Sequence, residues 1–398
     1  MTSPALRRPS YPWILVLTLG LTETVSWGVL YYAFGVFVEP MQAELGWSRG
    51  EIGGAFSLAL IVLALAGVPV GHWLDRRGAR LLMTAGSVLA VALVVLWSQV
   101  RDLLVFYLIW ALMGVAWSAV LYSPAFATVT AFFRERRTEA LTVVTLMAGL
   151  ASTIFLPLTA YLVAALPWRD ALLVLAAILA ITTVLPHALV LRPPPPHDQA
   201  AEPSLDLGAA LRHASFRWLV LAQVCYALGV GVAIHLVPYL GSRGYDIRTA
   251  ATIAGLVGAM QVVGRLALAP LERRLPLPAV LAAVYLLQPL GIVVLLLGPA
   301  AAPYLFVVLF GAGRGADTIL RNTLVARLYG ARRFASIAAV LSLFVTLAQA
   351  AGPVGLGLVY DAAGSYEPGL WVVAAASLVA VGAVTWGTRT AAPASSSS

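Results

Sequence analysis

Long apolar runs alternate with short polar breaks along the whole chain. Twelve runs occur, at 13–38, 51–73, 79–98, 103–128, 139–165, 170–190, 217–241, 249–271, 278–298, 303–327, 335–360 and 369–388. A helix needs about 20 such residues to cross the hydrocarbon of a bilayer. The breaks carry the charge, as at Arg76-Arg77-Gly78 and Arg101-Asp102. The pattern predicts an all-α integral membrane protein with twelve transmembrane helices. The longest break, 191–216, holds Pro193 to Pro196, His197, Asp198 and Glu202 and reads as a cytoplasmic polar linker that cannot span. It divides the chain into a six-helix bundle over 1–190 and a second over 217–390, followed by a disordered tail over 391–398. The first run is too long for a signal-peptide core and lacks a small-residue cleavage site, so it is expected to stay as the first span.

Composition agrees with the pattern. Of 398 residues, 61% are hydrophobic and 11% charged, against roughly 45–50% and about 25% in soluble domains. That excludes a soluble enzyme, a coiled coil and a disordered chain. A single cysteine, Cys225, excludes a disulfide framework. All 25 basic residues are arginines, and they are scattered among short breaks rather than gathered on one soluble face, so the net charge of +8 points to no nucleic-acid partner. With the N-terminus inside, seventeen of the 25 fall on the inner side and five on the outer. Positive charge accumulates in cytoplasmic loops, so both termini are expected in the cytoplasm and the protein in the cell inner membrane.

The halves repeat. Asp75-Arg76-Arg77 corresponds to Glu272-Arg273-Arg274, Arg136-Arg137 to Arg332-Arg333, and Gly46-Trp47-Ser48 to Gly244-Tyr245-Asp246, all at offsets within two residues of one another. The even number of spans between partners gives the halves the same membrane orientation, the arrangement of two parallel six-helix repeats. The stretch from Gly71 to Arg80 then resembles the loop signature of the major facilitator superfamily. On that resemblance Gly71 allows close helix approach, Asp75 accepts from a neighbouring helix N-terminus, and Gly78 permits the tight reversal. With Arg76 they form a cytoplasmic latch that breaks and reforms as the halves rock. The alternative is topological: the charges only keep the loop inside.

A narrower resemblance, to monocarboxylate and oxalate–formate porters, rests on Phe132 to Arg137, Pro167-Trp168-Arg169, Gly264-Arg265, Gly352-Pro353 and Tyr360-Asp361. Two departures stand out: family members often place a lysine in the binding region, and this chain has none; and the glycine-proline signature of drug–proton antiporters is missing from span 5.

Ionisable residues within spans cost at least ~2.5–3.5 kcal/mol to insert and are functional candidates. Arg265 in span 8 is, by the resemblance, the residue that holds a substrate carboxylate; guanidinium suits this through paired hydrogen bonds. Gln261 stands where the family has an acid. Glu23 in span 1 shares a helical face with Trp27, Leu30, Tyr31 and Phe34; it either exchanges a proton as access alternates or pairs permanently with an arginine. His235, one turn before Tyr239, either takes part in proton coupling or is simply hydrogen-bonded. Arg314, Asp317 and Arg321 share a face of span 10, as a substrate or proton-coupling set or as a structural ion network. Trp110, Gly114, Ser118 and Tyr122 follow at steps of four, a cavity stripe or plain packing. Three arginines against Glu23 and Asp317 leave one spare positive charge, which favours a monoanion.

No nucleotide-binding loop, metal-ligand spacing or catalytic triad is present in the sequence, so no cofactor, metal or enzymatic activity is expected. The reading is a secondary active transporter moving a small organic anion, coupled to protons, with a monomer sufficient. The rivals are an exporter of amphipathic or aromatic compounds and a non-transporting receptor with a transporter fold.

Overall fold

The computed structural model describes residues 11–133, 136–192, 214–299, 301–329 and 334–390, and among these every regular element is a helix. Twelve helical segments run back and forth: α1 Tyr11–Leu45, α2 Arg49–Arg77, α3 Ala79–Gln99, α4 Leu103–Phe132, α5 Glu139–Ala165, α6 Trp168–Val190, α7 Ala214–Ser242, α8 Ile247–Arg274, α9 Leu277–Leu297, α10 Ala302–Tyr329, α11 Phe334–Ala363 and α12 Glu367–Thr390. Eleven are apolar enough to cross a bilayer on composition alone. The twelfth, α10, has the length, but Arg314, Asp317 and Arg321 lie in its middle. The tail 391–398 and most of the linker 191–216 lie outside the described residues, and α7 begins three residues earlier than the apolar run suggests.

Local chemistry sets the helix ends. Ser48 and Glu51 form a reciprocal capping box at the start of α2, Asp102 accepts the Val105 N–H at 3.0 Å at the start of α4, and Asp246 accepts the Arg248 and Thr249 N–H groups at the start of α8. The Thr249 hydroxyl and these amides hold the Asp246 carboxyl below its usual range. Ser48 and Asp246 are repeat partners. So are Gly46 and Gly244, both at positive φ, 71° and 89°, so the equivalent turns are built alike.

Helix pairing repeats as well. In the first half α1 packs on α5, α2 on α4, and α3 on α4 and α6; in the second α7 packs on α11, α8 on α10, and α9 on α10 and α12. Two pseudo-symmetric six-helix bundles result. They meet along α2 with α11 and α5 with α8, with α1 touching α7. The N-terminal core is rich in rings: Trp110 packs edge-on to Phe34 at 4.6 Å and to Trp97 at 5.1 Å. An even number of crossings puts both described ends, Tyr11 and Thr390, at one end of the bundle, here the terminal end; the loop at 46–48 marks the far end.

Three interruptions position side chains. A π-helical turn at Trp27–Tyr32 inserts one extra residue into α1. An extended Leu121 breaks α4, and the helix resumes at Tyr122. Finally, α2 stays helical to Arg77, and Gly78 alone, at φ 71°, makes the reversal into α3. Gly71, Asp75 and Arg76 therefore stand on the last turns of a helix, where the sequence suggested a loop.

Candidate functional site

Between the bundles lies a cavity of about 280 Å³, and its two walls differ in chemistry. The N-terminal bundle contributes Trp27, Tyr31, Tyr32 and Tyr122; the C-terminal bundle contributes Arg265, Arg314, Asp317, Arg321 and Gln261.

The cationic wall depends on how closely α8 and α10 approach. A methyl group at Gly264 would run into the Ala312 carbonyl, and one at Gly315 into that of Gln261. Only glycine at both positions lets the helices touch, which brings Arg265 and Arg314 onto one surface. Arg265, 8% exposed, donates from Nη1 to the Thr145 carbonyl across the bundle interface, while its Nε, also buried, has no partner. Arg314 reaches the Gln288 Oε1 at 3.5 Å and lies 5.5 Å from the Phe310 ring. Arg321 lies nearly two turns on toward the terminal end. Asp317 accepts from Gln223 at 3.3 Å, and that amide also donates to the Tyr285 hydroxyl at 2.6 Å. The shared face of span 10 thus carries no ion pair between Asp317 and either arginine, because the carboxylate is turned into its own bundle.

The aromatic wall is built by the interruptions. The extra residue in α1 brings adjacent Tyr31 and Tyr32 both to the cavity, with rings 5.3 Å apart. It also takes Leu30 and Phe34 away from the face they were expected to share with Glu23, and both are buried in the core. The break at Leu121 likewise removes Tyr122 from the stripe of Trp110, Gly114 and Ser118. Those three pack inside the N-terminal bundle, while the Tyr122 ring lies tilted against Trp27, centroids 5.1 Å apart.

Two of the proton-coupling candidates lie outside the cavity. Glu23 is fully buried behind the aromatic wall, where one oxygen accepts from Trp27 Nε1 at 3.0 Å and the other has no hydrogen-bond partner. With Glu23 outside, the cavity's own charges are three arginines against Asp317, a surplus of two positive charges where the sequence suggested one. His235 sits toward the far end, with Nε2 2.9 Å from the Pro353 carbonyl and Nδ1 3.1 Å from the Tyr366 hydroxyl. A carbonyl only accepts, so the imidazole donates from Nε2 and accepts at Nδ1 from Tyr366. Both ring nitrogens are used, and His235 faces no part of the cavity.

That histidine leads into a network invisible in the sequence. Tyr366 accepts from Arg49 Nη1 at 2.7 Å, and the Arg49 guanidinium lies 4.0 Å above the Tyr360 ring. Asp361, at the end of α11, takes the backbone N–H groups of Arg49 and Gly50 at 3.1 and 2.7 Å, capping α2 from the other bundle. At the terminal end a methyl group added at Gly71 meets nothing within 4 Å, so this glycine permits no close contact in this conformation. The side chain of Asp75 lies outside the described part; the Arg77 guanidinium covers the Trp73 ring at 4.7 Å.

Other cavity residues had a sequence signal that went unused. Ser342, Thr346 and Gln349 line the cavity from α11 and form a polar stripe at steps of four and three in an apolar run. Tyr32 had no such signal, since helical spacing turns it about 100° from Tyr31.

A family model described as Major Facilitator Superfamily matches residues 19–316. Monocarboxylate transporter 13 of Bos taurus is 28% identical over 376 residues, covering 92% of this chain and 87% of that protein. Monocarboxylate transporter 11 of Homo sapiens is 31% identical over 301 residues, covering 72% of this chain and 62% of that one. Among solved structures, a bacterial homologue of the human lysosomal transporter Spinster, inward-facing and unoccupied, superposes with a TM-score of 0.77 at 16% identity over 96% of this chain and 98% of that one. The nucleoside transporter NupG gives 0.79 at 14% identity over 95% and 100%.

Proposed function

The chain belongs to the Major Facilitator Superfamily, and on that premise we propose that it moves a small, monocarboxylate-like organic anion across the cell inner membrane by alternating access, coupled to protons. The observation that carries this reading is the cationic wall: Arg265, Arg314 and Arg321 face one cavity with Asp317 as the single acid among the described lining residues. Uncompensated positive charge in a low-dielectric cleft favours an anionic guest. The similarity to monocarboxylate transporters supports a carboxylate as the anion.

Arg265 is the main carboxylate ligand in this reading. Its bond to the Thr145 carbonyl ties the C-terminal bundle to the N-terminal one, and its Nε remains free for a guest. Exchanging a neutral carbonyl for a carboxylate strengthens the hydrogen bond, so cargo binding releases an inter-bundle tie. Glu23 carries the coupled proton: its unpartnered oxygen lies behind Trp27 and Tyr122, close to the site without competing for the anion. The arginine bias puts the terminal end in the cytoplasm, and the helix end bearing Gly71, Asp75, Arg76 and Gly78 serves as the gate there. A monomer contains every part of this machinery.

Uptake of labelled monocarboxylates into proteoliposomes, with and without an inward proton gradient, tests it. The expected result is gradient-stimulated uptake that Arg265→Ala reduces by about 100-fold, on the scale of ~3 kcal/mol for a charged hydrogen-bond partner. Glu23→Gln is expected to keep anion binding while losing stimulation by the gradient. Indifference of uptake to Arg265→Ala, in folded protein, would sink the anion reading and favour export of neutral amphipathic compounds.

A further inference from the structure

The cationic wall explains half of the cavity. Opposite it stand four rings, and their arrangement goes beyond what a small acid uses. Trp27 lies 5.1 Å from both Tyr31 and Tyr122, and Tyr31 lies 5.3 Å from Tyr32. The indole N–H of Trp27 is spent on Glu23, behind the wall, so what the indole offers on its other side is hydrocarbon and π-surface. Two separate irregularities, the π-helical turn in α1 and the break in α4, cost regular helix geometry and have this aromatic surface as their result.

The division between bundles adds a second argument. Rings belong to the N-terminal bundle and arginines to the C-terminal bundle, so a guest that engages both must itself have an aromatic end and an acidic end. We infer that the transported anion is an aromatic carboxylate, its ring held among Trp27, Tyr31 and Tyr122 and its carboxylate by Arg265 and Arg314. A cavity of about 280 Å³ holds one ring with a short acidic arm. A lactate-sized acid would satisfy the arginines and leave the rings in contact with water. Because each bundle grips one end, such a cargo also bridges the two bodies that rock against each other. The inference rests on the anion reading above and narrows it.

Equilibrium binding to the purified full-length protein in lipid nanodiscs tests it, using benzoate, phenylpyruvate, cyclohexanecarboxylate, lactate and benzamide as probes. Benzoate and phenylpyruvate are expected to bind about tenfold or more tightly than lactate, and more tightly than the saturated ring, since offset and edge-on ring contacts add to plain burial. Tyr122→Leu is expected to bring the benzoate-to-lactate ratio to within about threefold of unity, and Tyr122→Phe to restore most of the ratio. Lactate binding as tightly as benzoate, or Tyr122→Leu weakening both acids equally, overturns the aromatic inference and leaves the anion reading in place. Benzamide binding as tightly as benzoate overturns both, because the carboxylate would then count for nothing.

Discussion

One helix records the difference between the two ends of this protein. At the far end of α2, Gly50 and Gly53 press against α11: a methyl group at Gly53 would sit 2.9 Å from the Pro353 carbonyl. Toward the terminal end, Gly67 and Gly71 of the same helix meet nothing within 4 Å. In between, Leu60 and Leu63 of α2 and Val345 of α11 face the same cavity. The bundles are thus locked at the far end, by Asp361 capping α2 and by Arg49 gripping Tyr366, and stand apart around the cavity below. Closure at the far end combines close helix approach at glycines with directional bonds at one helix terminus. A cap of that kind contributes ~0.5–2 kcal/mol, a scale that a ligand binding one conformation better than the other can offset.

Substitutions at the two ends break the symmetry of this comparison in graded steps. Gly53→Leu forces the far end apart and is expected to lower uptake by about tenfold or more, at ~1–3 kcal/mol for overpacking; cysteine labelling of a cavity position such as Leu63→Cys, in a Cys225→Ser background, should then become possible from the far side. Asp361→Asn keeps the side-chain shape and removes the charge from the cap, so the far-side labelling rate should rise by roughly 2- to 30-fold. If labelling stayed at the parental rate, Asp361 would not be holding the gate. Gly71→Ala has the opposite sign: with open space around it, alanine gains about 1 kcal/mol of helix propensity in this conformation, and thermal stability in detergent should rise slightly. A loss of uptake from this variant, together with the gain in stability, is expected if Gly71 must pack closely when the terminal end shuts. His235→Gln has the smallest expected effect. It removes one of the bonds to Tyr366, costing about 1 kcal/mol, and uptake should retain its proton dependence; loss of that dependence would restore His235 to the coupling role suggested by its position in an apolar run.

Much of this was legible in the residues themselves. Apolar run lengths give the spans, and the partner turns at Gly46 and Gly244 give the two-fold repeat, because both are local properties that each segment carries alone. Arg265, Arg314, Arg321 and Asp317 stood out because a charge in hydrocarbon is too costly to be idle. Other placements were decided by helix interruptions and distant contacts that spacing does not show. Leu30 and Phe34 were placed on the Glu23 face by ideal helical spacing, and one inserted residue at Trp27–Tyr32 turns them away from it; Glu23 itself precedes the insertion and is covered by the Trp27 ring, whose Nε1 it accepts from. Of the stripe Trp110, Gly114, Ser118 and Tyr122, the break at Leu121 leaves only Tyr122 at the cavity. His235 appeared as a lone titratable group until Pro353 and Tyr366, more than a hundred residues away, took both of its nitrogens.

By itself, then, the sequence determined the number of the helices and which charges lie within them, since hydropathy and capping act over a few residues. The tertiary structure alone decided which wall each of those residues faces, that Glu23 lies behind the rings rather than among the arginines, and that α2 is capped by a carboxylate from the opposite bundle. Those outcomes depend on helix register after an interruption and on the approach of α8 to α10 and of α2 to α11, and contacts between distant segments leave no periodic trace along the chain.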